Sequence, residues 1–180
     1  ADWTVLSLLN WTKDYLARAG MDSPRLAAEV LLAHVLRCER IELYARYDYR
    51  PGDDERASYR KLVARAAGGE PVAYLVGRRE FYSLPLTVSP DVLIPRPETE
   101  LLVSHALEHL KQSPGAPPRV WDACTGCGAV AVAIAHEAQS AAVLATDVSP
   151  AAVTVAAANA ERHGLGDRVT CRQADLLELP

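Results

Sequence analysis

The residues best equipped for chemistry stand in one short run, Arg119-Val-Trp-Asp-Ala-Cys-Thr-Gly-Cys-Gly128. Gly126 and Gly128 lack a Cβ, so the chain can turn sharply there and bring its amides close to a ligand. Asp122, at the end of the apolar run, can accept hydrogen bonds beside that loop. About 20 residues on, Val143-Leu-Ala-Thr-Asp147 is a second apolar run closed by a carboxylate, the position that chelates two ribose hydroxyls in the mononucleotide-binding half of a doubly wound α/β fold. A third run, Arg168-Val-Thr-Cys-Arg172, is followed by Asp175. That carboxylate falls on the same edge of the expected sheet, where it can meet an adenine amino group. The pattern predicts an adenosine-containing cofactor. It does not suit a triphosphate, because no Lys followed by Ser or Thr succeeds the glycines. The third glycine of a dinucleotide fingerprint is replaced by Ala131, which only the looser form tolerates.

Other chemistries fit these residues less well. Cys124 and Cys127 form a C-x-x-C pair, but no second pair and no nearby His cluster completes four zinc ligands. A redox dithiol at a helix N-terminus is a competing reading; small residues that tolerate a crowded loop are the expected one. His34, His105, His109, His136 and His163 fall on predicted helices, and no Ser-His-Asp spacing stands out. No metal is expected.

Two blocks of sequence must position this loop. Residues 1–72 carry helical periodicity. Val5, Leu8, Leu9, Thr12 and Leu16 mark a first helix ending near Gly20. Ser23-Pro24 opens a second helix with Leu26, Val30, Leu31 and Val35 as its stripe, and a third runs from Asp53 to Gly68-Gly69 with Tyr59, Leu62, Val63 and Ala66 inside. Trp3, Trp11, Tyr44, Tyr47 and Tyr49 are expected mainly to fill this bundle's core, with a recognition surface as the alternative. Residues 73–92 switch to short β-branched and aromatic runs and predict a β-hairpin turning near Ser83–Pro85. From residue 93 onward the pattern is α/β. Pro97 can open a helix whose first turn holds Glu98 and Glu100, favourable at the positive end of its dipole. Pro-Gly-Ala-Pro-Pro at 114–118 is a loop before the first sheet strand, and Ser149-Pro150 caps an alanine-rich helix ending at Gly164.

Composition narrows the classes. A chain of 180 residues that is 49% apolar can bury a substantial core. A formal charge of −4 supplies no basic footprint for nucleic acid. No apolar run reaches the ~20 residues of a membrane span, and Ala1-Asp2-Trp3 is unlike a signal peptide. A cytoplasmic, monomeric protein that touches neither membrane nor nucleic acid is expected.

Several elements, taken in order, resemble the release-factor glutamine methyltransferases, the PrmC/HemK family. They are Ser23-Pro24-Arg25-Leu26, Gly69-Glu70-Pro71-Val72-Ala73-Tyr74, Arg79-Glu80-Phe81-Tyr82, Ile94-Pro95-Arg96-Pro97-Glu98-Thr99-Glu100, the Gly loop, Asp147 and Asp175. The 94–100 element is the specific part, since the loop is common to most S-adenosylmethionine-dependent methyltransferases. The resemblance implies a Rossmann-like class I methyltransferase sheet preceded by a helical bundle and a hairpin connection. It implies methyl transfer from S-adenosylmethionine to the side-chain amide of the glutamine in the Gly-Gly-Gln motif of peptide chain release factors, leaving S-adenosylhomocysteine. On that basis Asp122, Cys124, Thr125, Gly126, Cys127, Gly128, Asp147 and Asp175 would bind the cofactor. Phe81, Arg96, Pro97, Glu98 and Thr99 would border the substrate pocket, and the helical domain would grip the release factor.

Cys124 and Cys127 depart from the family's usual loop, but backbone amides do most of the cradling. The family's Asn-Pro-Pro-Tyr motif, which would hold the glutamine amide, is expected after Pro180, so no catalytic residue is assigned within the chain. Residues 93–180 then read as the first part of a methyltransferase domain that continues for about a hundred residues, and three strands alone would leave an apolar edge uncovered. The alternatives are an adenine amino methyltransferase of the same fold, a cofactor-binding module without catalysis, and a nicotinamide dehydrogenase. The first needs a basic groove, and the last is disfavoured by Ala131.

Overall fold

The computed structural model of the chain describes residues 3–112 and 117–176. The chain forms two compact units, residues 1–76 and 77–180. Most of the loop expected at 114–118 lies outside the described residues.

The first unit is helical: α1 (Val5–Arg18), α2 (Pro24–Leu36), α3 (Arg40–Ala45), α4 (Asp53–Ala67) and α5 (Val72–Val76). The Thr4 hydroxyl caps α1 by accepting from the Ser7 amide at 3.3 Å, and the predicted stripe Val5, Leu8, Leu9, Thr12 and Leu16 is buried. In α2 the expected stripe needs correction. Leu26 is exposed, whereas Ala27, Ala28, Glu29, Leu31, Leu32 and Ala33 are buried. The reason is that α2 packs against α1, α3, α4 and α5, so a broad arc of it is covered and a single narrow stripe is the wrong template. In α4, Tyr59, Val63 and Ala66 are buried, Leu62 only partly. The Gly52 amide donates to the Glu55 carboxylate at 2.7 Å to close the start of α4. The short helices α3 and α5 give too little periodicity to be seen in sequence, and residues 73–76, read there as the start of an extended region, are helical.

One charge is buried among the described residues of this unit. Glu29 accepts from Arg25 Nε at 2.6 Å and from the Tyr44 hydroxyl at 2.8 Å, with Arg40 Nε at 3.5 Å. Burial alone would raise its carboxyl, but those hydrogen bonds and the two guanidinium charges outweigh it and hold the group below its ordinary range. Trp3 and Tyr47 are partly buried against the core as expected, but the other three aromatic residues are not core filling. Trp11, Tyr44 and Tyr49 are each 45% exposed; Trp11 stacks on Tyr15 with ring centres 5.1 Å apart, and Trp3 meets Trp11 edge-on. The aliphatic side chains already fill the interior.

The second unit opens with an antiparallel hairpin, β1 (Arg78–Phe81) and β2 (Leu84–Thr87), in which Phe81 pairs with Leu84. The turn is thus Tyr82-Ser83, one residue earlier than expected, and both carry positive φ, 51° and 60°. Two-residue hairpin turns of that hand match the strand twist but favour Asn or Gly. Next come α6 (Thr99–Gln112), β3 (Arg119–Ala123), α7 (Ala129–Glu137), β4 (Ala142–Asp147), α8 (Pro150–Arg162) and β5 (Val169–Gln173). Strands β3, β4 and β5 form a parallel sheet in that order, with Asp122 opposite Ala145 and Asp147 opposite Gln173. Two successive βαβ units therefore bring the ends of all three strands to one edge. Arg168 Nη1 donates to the Ala135 carbonyl at 2.6 Å, closing the C-terminal end of α7.

Candidate cofactor site

The Gly loop runs from β3 into α7, and three side chains fix its backbone. Asp122 Oδ2 accepts from the Thr125 hydroxyl at 2.6 Å and from the Ala131 amide at 3.1 Å. Burial raises the Asp122 carboxyl above its ordinary range, the nearby Asp147 charge adding to the effect and the two hydrogen bonds opposing it. Asp147 faces the loop from β4: Oδ2 accepts from the Gly126 amide at 2.9 Å and Oδ1 from the Ser149 amide at 3.0 Å. The third is Asn159 of α8, whose Nδ2 donates to the Cys127 carbonyl at 2.8 Å.

The two glycines are needed for different reasons. Gly126 has φ +56° with open space where a Cβ would stand, so only its backbone angle matters. Gly128 has φ +80°, and a Cβ there would lie 3.0 Å from the Ala156 Cβ and 3.1 Å from its Cα. Its demand is the close approach of α8. Cys124 also has a positive φ, 59°, without being glycine, a conformation that costs an L residue about 1–2 kcal/mol. The two cysteines differ sharply. Cys124 is exposed, whereas Cys127 is buried and its thiol is pushed up to about 11 by burial. A thiol held protonated is a weak nucleophile, which argues against a redox dithiol.

At the carboxyl edge of the sheet, Cys124, Thr146, Asp147, Val148, Ala174, Asp175 and Leu176 line a shallow cleft of about 160 Å³. This brings together Cys124, Asp147 and Asp175 from the candidates named on sequence. Thr125 and Asp122 are spent on each other, Cys127 faces the interior, and Gly126 and Gly128 shape the backbone. Val148 and Leu176 were missed. Their signal is positional: each is a large apolar residue directly after an Asp at or just past a strand end, and they are 66% and 51% exposed.

Phe81, Arg96, Pro97, Glu98 and Thr99 do not line this cleft. Phe81 is 2% exposed, so its ring belongs to the packing rather than to an open pocket wall. Arg96, Pro97 and Glu98 are exposed and form a tight turn, with the Thr99, Glu100 and Leu101 amides donating to the Arg96, Pro97 and Glu98 carbonyls. The helix α6 thus starts at Thr99 rather than Pro97. Glu100 does more than complement a dipole: its Oε1 accepts from the Tyr82 amide at 2.9 Å and holds the hairpin turn. Among the described residues no group of His, Cys, Asp and Glu is placed to hold a metal ion, and no helix is long and apolar enough to cross a membrane.

Residues 7–77 match the family model of the PrmC N-terminal domain, and residues 120–180 match a methyltransferase domain model. The release factor glutamine methyltransferase of Rhodopirellula baltica is 48% identical over 98% of this chain and 60% of its own length. The enzymes of the same name from Geobacter sulfurreducens and Bordetella pertussis are 42% and 48% identical, over 98% and 92% of this chain and 60% and 59% of theirs. Over nearly its whole length the chain is similar to release factor glutamine methyltransferases. It spans about 60% of the length of these relatives. Both parts of the family's architecture are represented: a helical N-terminal unit, and a parallel sheet of the Rossmann-like class I methyltransferase type.

Proposed function

We propose that this chain forms the cofactor-binding part of an enzyme that methylates the side-chain amide nitrogen of the glutamine in the Gly-Gly-Gln motif of release factors, using S-adenosylmethionine. The observation that carries the reading is the convergence of Asp147, Asp175 and the Gly loop on one cleft in a chain similar to these methyltransferases. Each Asp147 oxygen accepts one backbone amide, and a carboxylate oxygen has a further lone pair to offer a ribose hydroxyl. Val148 and Leu176 give apolar contact for an adenine ring, with Asp175 beside them to accept from its amino group. A cleft of about 160 Å³ is smaller than the ~300–1,000 Å³ of whole small-molecule sites, so it seats the nucleoside and leaves the remainder of the cofactor to the loop.

When bound, the cofactor supplies an electrophilic methyl group on a sulfonium. An amide nitrogen is a poor nucleophile, its lone pair being delocalised into the carbonyl, so the protein's task is to hold the glutamine in line and accept from its N–H donors. The residues present here orient the other reactant. Asp122 and Asp147 fix the loop, and the loop fixes the cofactor. The amide loses its extra proton readily once methylated, so no general base is assigned.

Within the same reading, residues 1–76 grip the release factor, and the exposed Trp11, Tyr15, Tyr44 and Tyr49 are the side chains suited to it. The Arg96–Thr99 turn faces substrate. The described cysteines are free, in keeping with the reducing cytosol. The test is mass spectrometry of a release-factor peptide containing Gly-Gly-Gln after incubation with the full-length protein and S-adenosylmethionine. A gain of one methylene mass on the glutamine is expected. No gain, with cofactor binding intact, would keep the fold and discard the substrate, in favour of an adenine amino group in nucleic acid.

A further inference from the structure

Asn159 is fully buried on a helix face otherwise made of alanine, Ala152, Ala156 and Ala160. Its side chain makes three hydrogen bonds. Oδ1 accepts from the Thr87 amide at 2.7 Å; Nδ2 donates to the Thr87 carbonyl at 2.9 Å and to the Cys127 carbonyl at 2.8 Å. Both donors of the amide are used, each on a different segment. Toward the hairpin, the side-chain amide behaves like a peptide unit of a neighbouring strand, exchanging both bonds with Thr87 on the outer edge of β2. Toward the loop, it holds the carbonyl one residue before Gly128, the glycine whose contact with Ala156 seats α8. Nothing in cofactor recognition calls for a link from this loop to the hairpin. A buried amide that is fully bonded is, however, a rigid connector.

We propose that Asn159 is a positioning residue that ties the Gly loop to the β1–β2 hairpin, so that the nucleoside affinity of the loop depends on the hairpin and cofactor binding in turn steadies β2. This rests on the cofactor reading given above. The reciprocity is a matter of linkage: a contact that strengthens when the loop is occupied must favour occupancy to the same degree. Neighbouring groups of α8 share the seam. His163 Nε2 lies 3.0 Å from the Pro85 carbonyl, and Arg162 Nη1 donates to the Thr87 hydroxyl at 3.5 Å. Asn159 alone reaches both segments.

The test uses the full-length protein and S-adenosylhomocysteine, with affinity read by calorimetry and the Thr87 amide followed by hydrogen exchange. In the wild type, ligand is expected to slow exchange at Thr87. Asn159→Ser, too short to span the gap, should weaken binding about tenfold and abolish that slowing. Thr87→Pro removes the hairpin-side donor, together with the hydroxyl that accepts from Arg162, and keeps the experiment decisive if the Asn159 variant does not fold; it too should weaken binding, although residue 87 lies outside the cleft. A variant that melts earlier yet binds with wild-type affinity would make Asn159 a brace and overturn the inference. Unchanged exchange at Thr87 in the liganded wild type would do the same. A wild type that fails to bind the nucleoside would instead remove the cofactor reading, and this inference with it.

Discussion

The helical unit and the α/β unit bury polar groups in opposite ways. In residues 1–76 the interior is aliphatic apart from Tyr59 and Thr12, and Glu29 is the one buried charge among the described residues, paired with two arginines and hydrogen-bonded by a tyrosine. In the described residues of 77–176 the helices facing the sheet are largely alanine, and four polar side chains, Asp122, Thr125, Asp147 and Asn159, bond to the backbone of one loop or to each other, while the buried Thr146 hydroxyl accepts from Trp121. Aliphatic packing makes a stable scaffold. A network of carboxylates and amides around a glycine turn makes a backbone of defined shape, with amides available to a ligand.

Substitutions can break that contrast. The largest effect is expected from Leu31→Ala, which opens a cavity in the helical unit and should cost ~3–5 kcal/mol in chemical unfolding, since Leu31 is fully buried. Gly128→Ala comes next. Its positive φ and its 3.0 Å approach to Ala156 add strain to overpacking, for about 2–4 kcal/mol. Gly126→Ala, with the angle alone against it, should cost about 1–2 kcal/mol, and equal losses at both glycines would show that close packing of α8 on the loop is not the constraint.

Glu29→Ala leaves Arg25 and Tyr44 without their acceptor, and about 2 kcal/mol is expected because Arg25 is partly exposed to water. Its pH signature follows from a lowered carboxyl: the wild-type advantage is present above the unfolded value near 4.5 and is lost as pH falls through the folded one. Melts from pH 7 to 3 should show wild type and variant converging. The smallest effect is at Cys124→Gly, where relief of the left-handed φ is set against glycine's extra backbone entropy. A gain of no more than ~1 kcal/mol is expected, in the direction opposite to both glycine variants.

Much of this was legible in the sequence because it rests on local patterns. The stripe of α1, the strand-end Asp147 and the spacing of the loop each follow from a periodicity or a turn requirement confined to a few residues. What was not legible depends on partners distant in the chain. Glu100 reads as a dipole partner until the Tyr82 amide is seen beside it. Leu26 and Phe81 exchange their expected surroundings once the neighbours of α2 and of the hairpin are known. Asn159 has a weak signal of its own, a polar residue in the buried register of an alanine-rich helix, but its role is defined only by Thr87 and Cys127, 72 and 32 residues away.

The most direct measurement is titration of the full-length protein with S-adenosylhomocysteine, wild type against Asp147→Asn. The substitution keeps the shape of the side chain but turns one of its two acceptors into a donor. Binding by the wild type and a loss of about 10- to 100-fold in the variant is the predicted result, since hydrogen bonds to a charged group are worth ~1.5–3 kcal/mol. Equal affinity in the two proteins would contradict the assignment of the Asp147 cleft as the cofactor site.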